Sequence, residues 1–263
     1  MPAYLDTILA AHRAAAAADT RDVEAAVEQA ERGGATRSFA DAISAASARY
    51  GMAVISEIKR RSPSKGDLDP GLDPATMAVE YEAGGAACLS VLTDHQFFGG
   101  LPDDLRAART ACSLPVLRKD FTVNALDVCD ARAMGADAVL LIAAALTDQE
   151  LSSFLQLAHR CTLAALVEVH DETELRRALD AGAGLVGVNQ RDLRTFEVDH
   201  QRALSLGAAI PAGVLAVAES GIRDAGDVAR LADAGYQAVL VGETLVRSAD
   251  RRAAVAELLG VRL

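Results

Sequence analysis

Tryptophan is absent from this chain, and aromatic residues make up only 4% of it. The core must therefore be built from aliphatic side chains, and the heavy use of alanine suits close helix packing. There is no C-x-x-C pair. Cys88, Cys112, Cys129 and Cys161 are widely spaced, which disfavours disulfides or a thiolate metal site and leaves buried reduced thiols as the reading. The five histidines show no H-x-x-x-H spacing, so no zinc or other metal site is expected. No G-x-G-x-x-G or G-x-x-x-x-G-K-[ST] follows any apolar run, which disfavours an open doubly wound nucleotide fold. Positive charge is in deficit too. A net charge of −11 argues against nucleic acid or an anionic membrane as a general partner. No apolar run is long enough to span a bilayer, and Met1 to Ala10 lacks the basic flank of a signal peptide. The expectation is a soluble, cytoplasmic protein.

What the chain does contain is a repeated design. Half of its 263 residues are hydrophobic (51%), enough for a full core. The segments Ala83–Val91, Met134–Leu141, Ala181–Val188 and Ala234–Val241 each read as a helix end with a glycine C-cap, followed by a continuous apolar strand. Continuous rather than alternating apolar strands indicate a parallel sheet covered on both faces. Eight strands can be placed, at Val54–Ile58, Cys88–Leu92, Pro115–Leu117, Ala138–Ile142, Ala164–Val169, Leu185–Asn189, Val214–Glu219 and Ala238–Val241. Helices fall between them, at Pro74–Ala83, Asn124–Met134, Asp148–His159, Glu172–Ala181 and Asp224–Ala234. Eight such units predict an α/β fold of the (β/α)8 barrel type. Residues 1–50 form a helical N-terminal extension, with helices at Leu5–Ala18, Val23–Arg32 and Phe39–Tyr50. Residues 1–263 are read as a single barrel domain including that extension.

In a parallel barrel the chemistry sits at the C-terminal ends of the strands. Those ends are polar here. The first offers Glu57, Lys59 and Ser62, with Glu57 and Lys59 on one side by alternation and Ser56 and Ile58 on the other. The third offers Lys119, the fifth Glu168, and the sixth Asn189 and Arg191. The seventh offers Glu219, Ser220 and Gly221, and the eighth Gly242. Two lysines and three carboxylates in one mouth suit acid–base catalysis, whereas any one alone would read as a structural ion pair. Lys59, Arg60, Arg61, Lys65, Arg118 and Lys119 cluster in two short segments, a local cationic site for an anionic small molecule in an acidic chain. Ser220-Gly221 and Gly242-Glu243 are each expected to open a helix, so that bare backbone N–H groups form a phosphate site.

The motifs Glu57-Ile58-Lys59-Arg60-Arg61-Ser62-Pro63-Ser64-Lys65-Gly66, Leu117-Arg118-Lys119-Asp120-Phe121, Leu166-Val167-Glu168-Val169-His170, Gly187-Val188-Asn189-Gln190-Arg191-Asp192-Leu193 and Ala218-Glu219-Ser220-Gly221-Ile222 together resemble the indole-3-glycerol-phosphate synthase family of tryptophan biosynthesis. The likeness runs through essentially the whole chain in order. It implies a carboxy-lyase that closes the indole ring of 1-(2-carboxyphenylamino)-1-deoxyribulose 5-phosphate, releasing carbon dioxide and water. The resemblance implies no cofactor and no metal, and is compatible with a monomer. It makes Lys119 the general acid that protonates the ketone. Glu168 and Asn189 would surround the reacting hydroxyl, and Glu57 and Glu219 would serve the later dehydration. Lys59 would lie near the phosphate or the departing hydroxyl. Ser220 counts with this catalytic set and, with Ser62, Arg191, Gly221, Gly242 and Glu243, would bind the substrate. Phe98, Phe121, Leu140 and Leu193 would wall the aromatic ring; the alternative for each is ordinary core, and it is strong for Leu140. Two positions depart from the family's usual pattern: Leu101 stands where serine is usual, and Gln190 where smaller polar residues are common. The segment from Arg60 to Gly71, rich in proline and glycine, is expected to be mobile and to close over substrate. Two other readings share the phosphate end. One is a phosphosugar isomerase such as phosphoribosylanthranilate isomerase, which would typically use a Cys/Asp or two-Asp pair. The other is a non-catalytic barrel that binds a phosphorylated metabolite.

Overall fold

The computed structural model describes residues 4–63, 65–192 and 195–261. Its centre is a closed parallel barrel. The strands are β1 (Ala53–Ile58), β4 (Cys88–Leu92), β5 (Val116–Lys119), β6 (Ala138–Ile142), β7 (Ala164–Val169), β8 (Leu185–Asn189), β9 (Leu215–Glu219) and β10 (Ala238–Val241), and the ring closes by pairing β1 with both β4 and β10. A two-residue ladder between β2 (Arg61–Ser62) and β3 (Gly66–Asp67) projects from the end of β1. The strands expected from sequence are the barrel strands. The third begins one residue later and runs two residues further than expected, because Arg118 and Lys119 continue the ladder opposite Val91 and Leu92.

Alternation divides each strand between two apolar layers. Val54, Leu89, Val91, Val116, Val139, Leu141, Val167, Val186 and Val239 face outward into one cluster under the helices. Ile55, Cys88, Leu117, Leu140, Leu166, Leu185, Val217 and Leu240 fill the barrel itself in a second cluster. Both faces are apolar, so the strands read as unbroken hydrophobic runs. Counting on by two from the inward set gives Glu57, Lys119, Glu168 and Glu219. The polar strand ends are thus the uppermost inward layer of the same period-2 pattern.

The helices of the outer layer begin at acidic or hydroxyl caps. Asp73, Asp171, Asp224 and Asp250 accept backbone N–H groups of α4 (Pro74–Ala83), α9 (Glu172–Asp180), α11 (Ala225–Asp233) and α13 (Arg251–Leu258). Asn124 and Thr147 form capping boxes on α7 (Ala125–Met134) and α8 (Asp148–Arg160). Part of the acidic excess is therefore spent at helix starts, where the macrodipole favours it. The helix that ends at Gly135 has that residue at φ 90°, the left-handed cap expected of glycine.

The N-terminal extension has three helices. Phe39 and Ile43 of α3 (Phe39–Tyr50) are buried in the inner cluster, and Cys88 Sγ lies 3.7 Å from the Phe39 carbonyl it donates to. α2 (Val23–Glu31) lies on α7, tied by Arg21 Nη1 to Asp130 at 2.7 Å. α1 (Tyr4–Ala18) lies at the mouth, held by His12 Nε2 to Asp94 Oδ2 at 3.0 Å and Arg13 to Glu150 at 2.9 Å. Among the described residues no helix is long and apolar enough to cross a membrane.

Candidate active site

The strand ends open into a cavity of about 720 Å³. Glu57, Lys59, Ser62, Phe98, Lys119, Phe121, Leu140, Glu168, Asn189, Arg191, Glu219, Ser220, Gly221, Gly242 and Glu243 all line it. Leu193 lies outside the described residues, as does Ser64.

Lys119 is the hub. Its Nζ stands 3.1 Å from Glu168 Oε2 and 3.7 Å from Glu219 Oε2. Asn189 Nδ2 donates to the other Glu168 oxygen at 3.1 Å. His170 Nε2 lies 3.5 Å from that same oxygen, while its Nδ1 pairs with Glu174 at 3.1 Å. Beside this group Lys59 donates to Glu57 Oε1. Two glycines make room for the carboxylates. A Cβ on Gly187 would overlap Glu219 Oε1, and one on Gly242 would overlap Glu57 Oε1 and come within 3.2 Å of Lys59 Nζ.

Burial opposes charge on each member, and the neighbours decide which ones keep it. Against its desolvation, Lys119 is faced by Glu168, Glu219 and Glu57, and its ammonium is held above the ordinary lysine range. Burial also works against the Glu168 carboxylate, but Lys119, His170 and the Asn189 amide outweigh it and bring its pKa below the ordinary value. Glu219 goes the other way. Burial and then repulsion from Glu168 push it up to about 8, despite Lys119. Among the described residues, its Oε1 is buried with no hydrogen-bond partner. At neutral pH the mouth therefore holds an ammonium, a fixed carboxylate and a protonated carboxyl group within one shell. It has a proton to give, a base to receive one and negative charge to stabilise a cation.

The cavity has two characters on adjoining arcs of the ring, which meet where β4 pairs with β1. Phe98 and Phe121 follow β4 and β5, with their ring centroids 6.2 Å apart, and Leu140 and Ile142 belong to β6. The ends of β1, β10 and β9 carry Lys59, Ser62, Lys65, Ser220, Gly221 and Arg247. There the structure corrects one expectation. Ser220-Gly221 does not open a helix: α11 starts at Ala225 under its own cap, Asp224, and Ser220 and Gly221 form a turn with consecutive positive φ values of 67° and 73°. Gly242 does open a helix, the single turn α12 (Glu243–Val246), and its start has no side-chain cap.

The cationic cluster also divides. Lys59, Lys65 and Lys119 line the cavity, but Arg60 bonds Asp104, Arg61 reaches the carbonyls of His95 and Gln96, and Arg118 is buried against Thr93, Asp120 and the Asp127 carbonyl. Alternation turns Arg118 outward where Lys119 points in. The acid beside Lys119 in sequence, Asp120, accordingly pairs with Arg118. Arg191 donates to the Phe196 carbonyl at 3.0 Å.

Sequence reasoning missed Tyr4, Leu5 and Ile8, which bring α1 into the cavity wall, and also Phe196, Arg223 and Arg247. The apolar spacing of Leu5 and Ile8 marks a buried helix face, but nothing in the sequence says which surface it covers. One grouping of metal-ligating types occurs among the described residues, His12, Asp94 and Asp120. Its oxygens already serve His12, the Phe97 and Phe98 amides, Thr93 and Arg118.

A family model described as indole-3-glycerol phosphate synthase matches residues 5–258. Among curated proteins, an indole-3-glycerol phosphate synthase of Paracidovorax citrulli is 52% identical over 227 residues, covering 85% of each chain. One from a Polaromonas species is 48% identical over 263 residues, covering 99% of this chain and 100% of its own. Among solved structures, a thiamine phosphate pyrophosphorylase from Pyrococcus furiosus superposes with a TM-score of 0.61 at 17% identity, over 80% of this chain and 95% of that one. That last likeness is one of fold.

Proposed function

We infer that this mouth carries out the ring closure of the indole-3-glycerol phosphate synthase family, to which this chain belongs. The chain is a carboxy-lyase of tryptophan biosynthesis acting on a phosphorylated small molecule. Membership of that family replaces the isomerase and the non-catalytic barrel as readings.

The observation that carries the residue assignments is the seating of Lys119 between Glu168 and Glu219, at 3.1 and 3.7 Å. On this reading the substrate's aromatic ring lies against Phe98, Phe121 and Leu140, and its phosphate lies toward Lys59, Ser62, Arg191, Ser220, Gly221 and Gly242. The ring carbon that bears the carboxylate attacks the ketone carbon. As that bond forms, the ketone oxygen takes a proton from Lys119. An ammonium held this firmly is a reluctant acid toward a neutral ketone. An alkoxide forming beside it is far more basic, so the transfer runs downhill as the transition state is approached. The intermediate carries positive charge on the aryl amine, which Glu168, Glu57 and the carboxylate-rich shell stabilise. Breaking the bond to the carboxyl group releases carbon dioxide. The new hydroxyl, held by Glu168 and Asn189, then leaves as water with a proton from Lys59 or Glu219, and loss of a ring proton to a carboxylate completes the indole.

The extension belongs to the same single domain in this reading, because Leu5 and Ile8 complete the wall. One chain then holds a whole site, and a monomer in the cytoplasm is the expected state.

The test is turnover. Mixing the protein with the carboxyphenylamino-deoxyribulose phosphate should produce a rising indole fluorescence over a background free of tryptophan. Lys119→Ala should reduce kcat by at least about a thousandfold with substrate binding retained. Near-normal turnover in that variant would overturn the acid assignment.

A further inference from the structure

We propose that Gln190 is a positioning residue for the phosphate end: its side chain sets the Ser220–Gly221 peptide so that the Gly221 N–H faces the cavity. The proposal rests on the reading that the substrate phosphate sits against this turn. Gln190 is 2% exposed and follows the last residue of β8. Its Nε2 donates to the Ser220 carbonyl at 2.7 Å. In a trans peptide the C=O and the N–H of the next residue point in opposite directions, and the chain has no cis bonds among its described residues. Gln190 lies behind the strand ends, in a small hollow with Leu204, Ile222 and Leu231, whereas Ser220 and Gly221 line the main cavity. A carbonyl drawn back toward Gln190 therefore turns the Gly221 N–H forward. Among the described residues no group accepts from that N–H, so it is a free donor at the cavity surface.

The pull has something to hold in place. Ser220 sits at φ 67°, a conformation that non-glycine residues adopt rarely and at a cost, and Gly221 follows at 73°. A turn strained in this way relaxes by rotating its peptide unless the carbonyl is fixed. Gln190 is itself fixed independently of its side chain, since its N–H donates to the Glu219 carbonyl at 3.0 Å and its carbonyl accepts from Asp199 at 2.8 Å. Replacing the side chain should leave this frame standing while it frees the peptide.

The experiment compares Gln190→Leu, which keeps the volume without the donor, and Gln190→Glu, which sets an acceptor against the carbonyl, with the unaltered chain. The readouts are kcat and KM for the phosphorylated substrate, the same for its dephosphorylated form, and inhibition by inorganic phosphate. Thermal unfolding confirms that each variant folds. Both variants should raise KM for the phosphorylated substrate and the inhibition constant for phosphate by about tenfold, the worth of one hydrogen bond to a charged group. The preference for the phosphorylated over the dephosphorylated substrate should shrink by the same factor, with kcat changing less than about twofold. Equal losses on both substrates would mean a merely structural role and would overturn the proposal, as would unchanged phosphate inhibition. If the unaltered chain neither prefers the phosphorylated substrate nor responds to phosphate, the phosphate reading itself fails and takes the proposal with it.

Discussion

Gly187 and Glu219 share one volume: the Glu219 carboxylate occupies the space that a side chain on Gly187 would fill. Gly187 stands beside Glu168 in the strand register, and Glu219 stands beside Asn189. The missing side chain is what lets a second carboxylate lean toward Lys119, 3.7 Å from its Nζ. Gly187→Ala should therefore drive Glu219 out of its seat. The expected result is a folded barrel whose kcat is lower by about a hundredfold, the cost of misplacing a reacting group by about an ångström. Circular dichroism and steady-state kinetics check it, and full activity in the alanine variant would show that the seat of Glu219 does not matter.

Glu219 should also leave a mark on stability. Its folded pKa is pushed up to about 8 from an ordinary 4.5 by burial and by Glu168. Between those values the native state binds more protons than the unfolded chain. Its contribution is thus fully present below the ordinary value and is lost as pH rises through about 8. Denaturant midpoints measured from about pH 5 to about pH 9 should fall with pH in the unaltered chain and fall less in Glu219→Gln, which cannot ionise. An identical slope in both would place the titration elsewhere.

The barrel was legible because its rule is local. Helix caps, glycine ends and apolar strands each announce themselves over a few residues, and the strand ends then supply Glu57, Lys119, Glu168, Asn189 and Glu219 by alternation. Lys119 and Arg118 show where that legibility stops. They look alike in sequence, yet one lies 3.1 Å from Glu168 and the other is buried against Asp120. Only the inward or outward sense of the strand separates them, and the strand was expected to end before it reached them. The Ser220-Gly221 turn is the second case. The helix start at Asp224 is legible from its acidic cap, but Gly221 reads as a helix opening as well, and nothing local says that it instead sits in a left-handed turn four residues before α11. The third is α1, whose docking on the mouth depends on tertiary contacts such as His12 with Asp94.

α1 provides a separate test. Leu5 and Ile8 are buried at 5% and 3% exposure, and they line the cavity. Truncating each to alanine should cost about 2 kcal/mol of stability, toward the low end for core positions because the helix lies at the rim. If the helix completes the substrate wall, the double variant should also raise KM more than it lowers kcat. A stability loss with unchanged KM would make α1 a clamp on the fold and not part of the site.

The segment after β1 is placed to respond to substrate. Leu68 and Asp69 both return their N–H groups to the Arg60 carbonyl, at 2.8 and 3.1 Å, so the β2–β3 ladder is tethered at its base. Near its tip, among the described residues, Lys65 has a single ion pair, 3.9 Å to Glu243, and both side chains are substantially exposed (48% and 37%). A pair of that kind contributes little in water. A phosphate bound between Lys59, Lys65 and the Ser220-Gly221 turn would give Lys65 a stronger partner and draw the tip down over the cavity. Tryptic cleavage after Lys65 should then slow by about tenfold when indole-3-glycerol phosphate is added at saturation. The dephosphorylated compound should protect far less, because it lacks the group that Lys65 would grip. Equal cleavage with and without the phosphorylated product would mean that the segment does not close over its ligand.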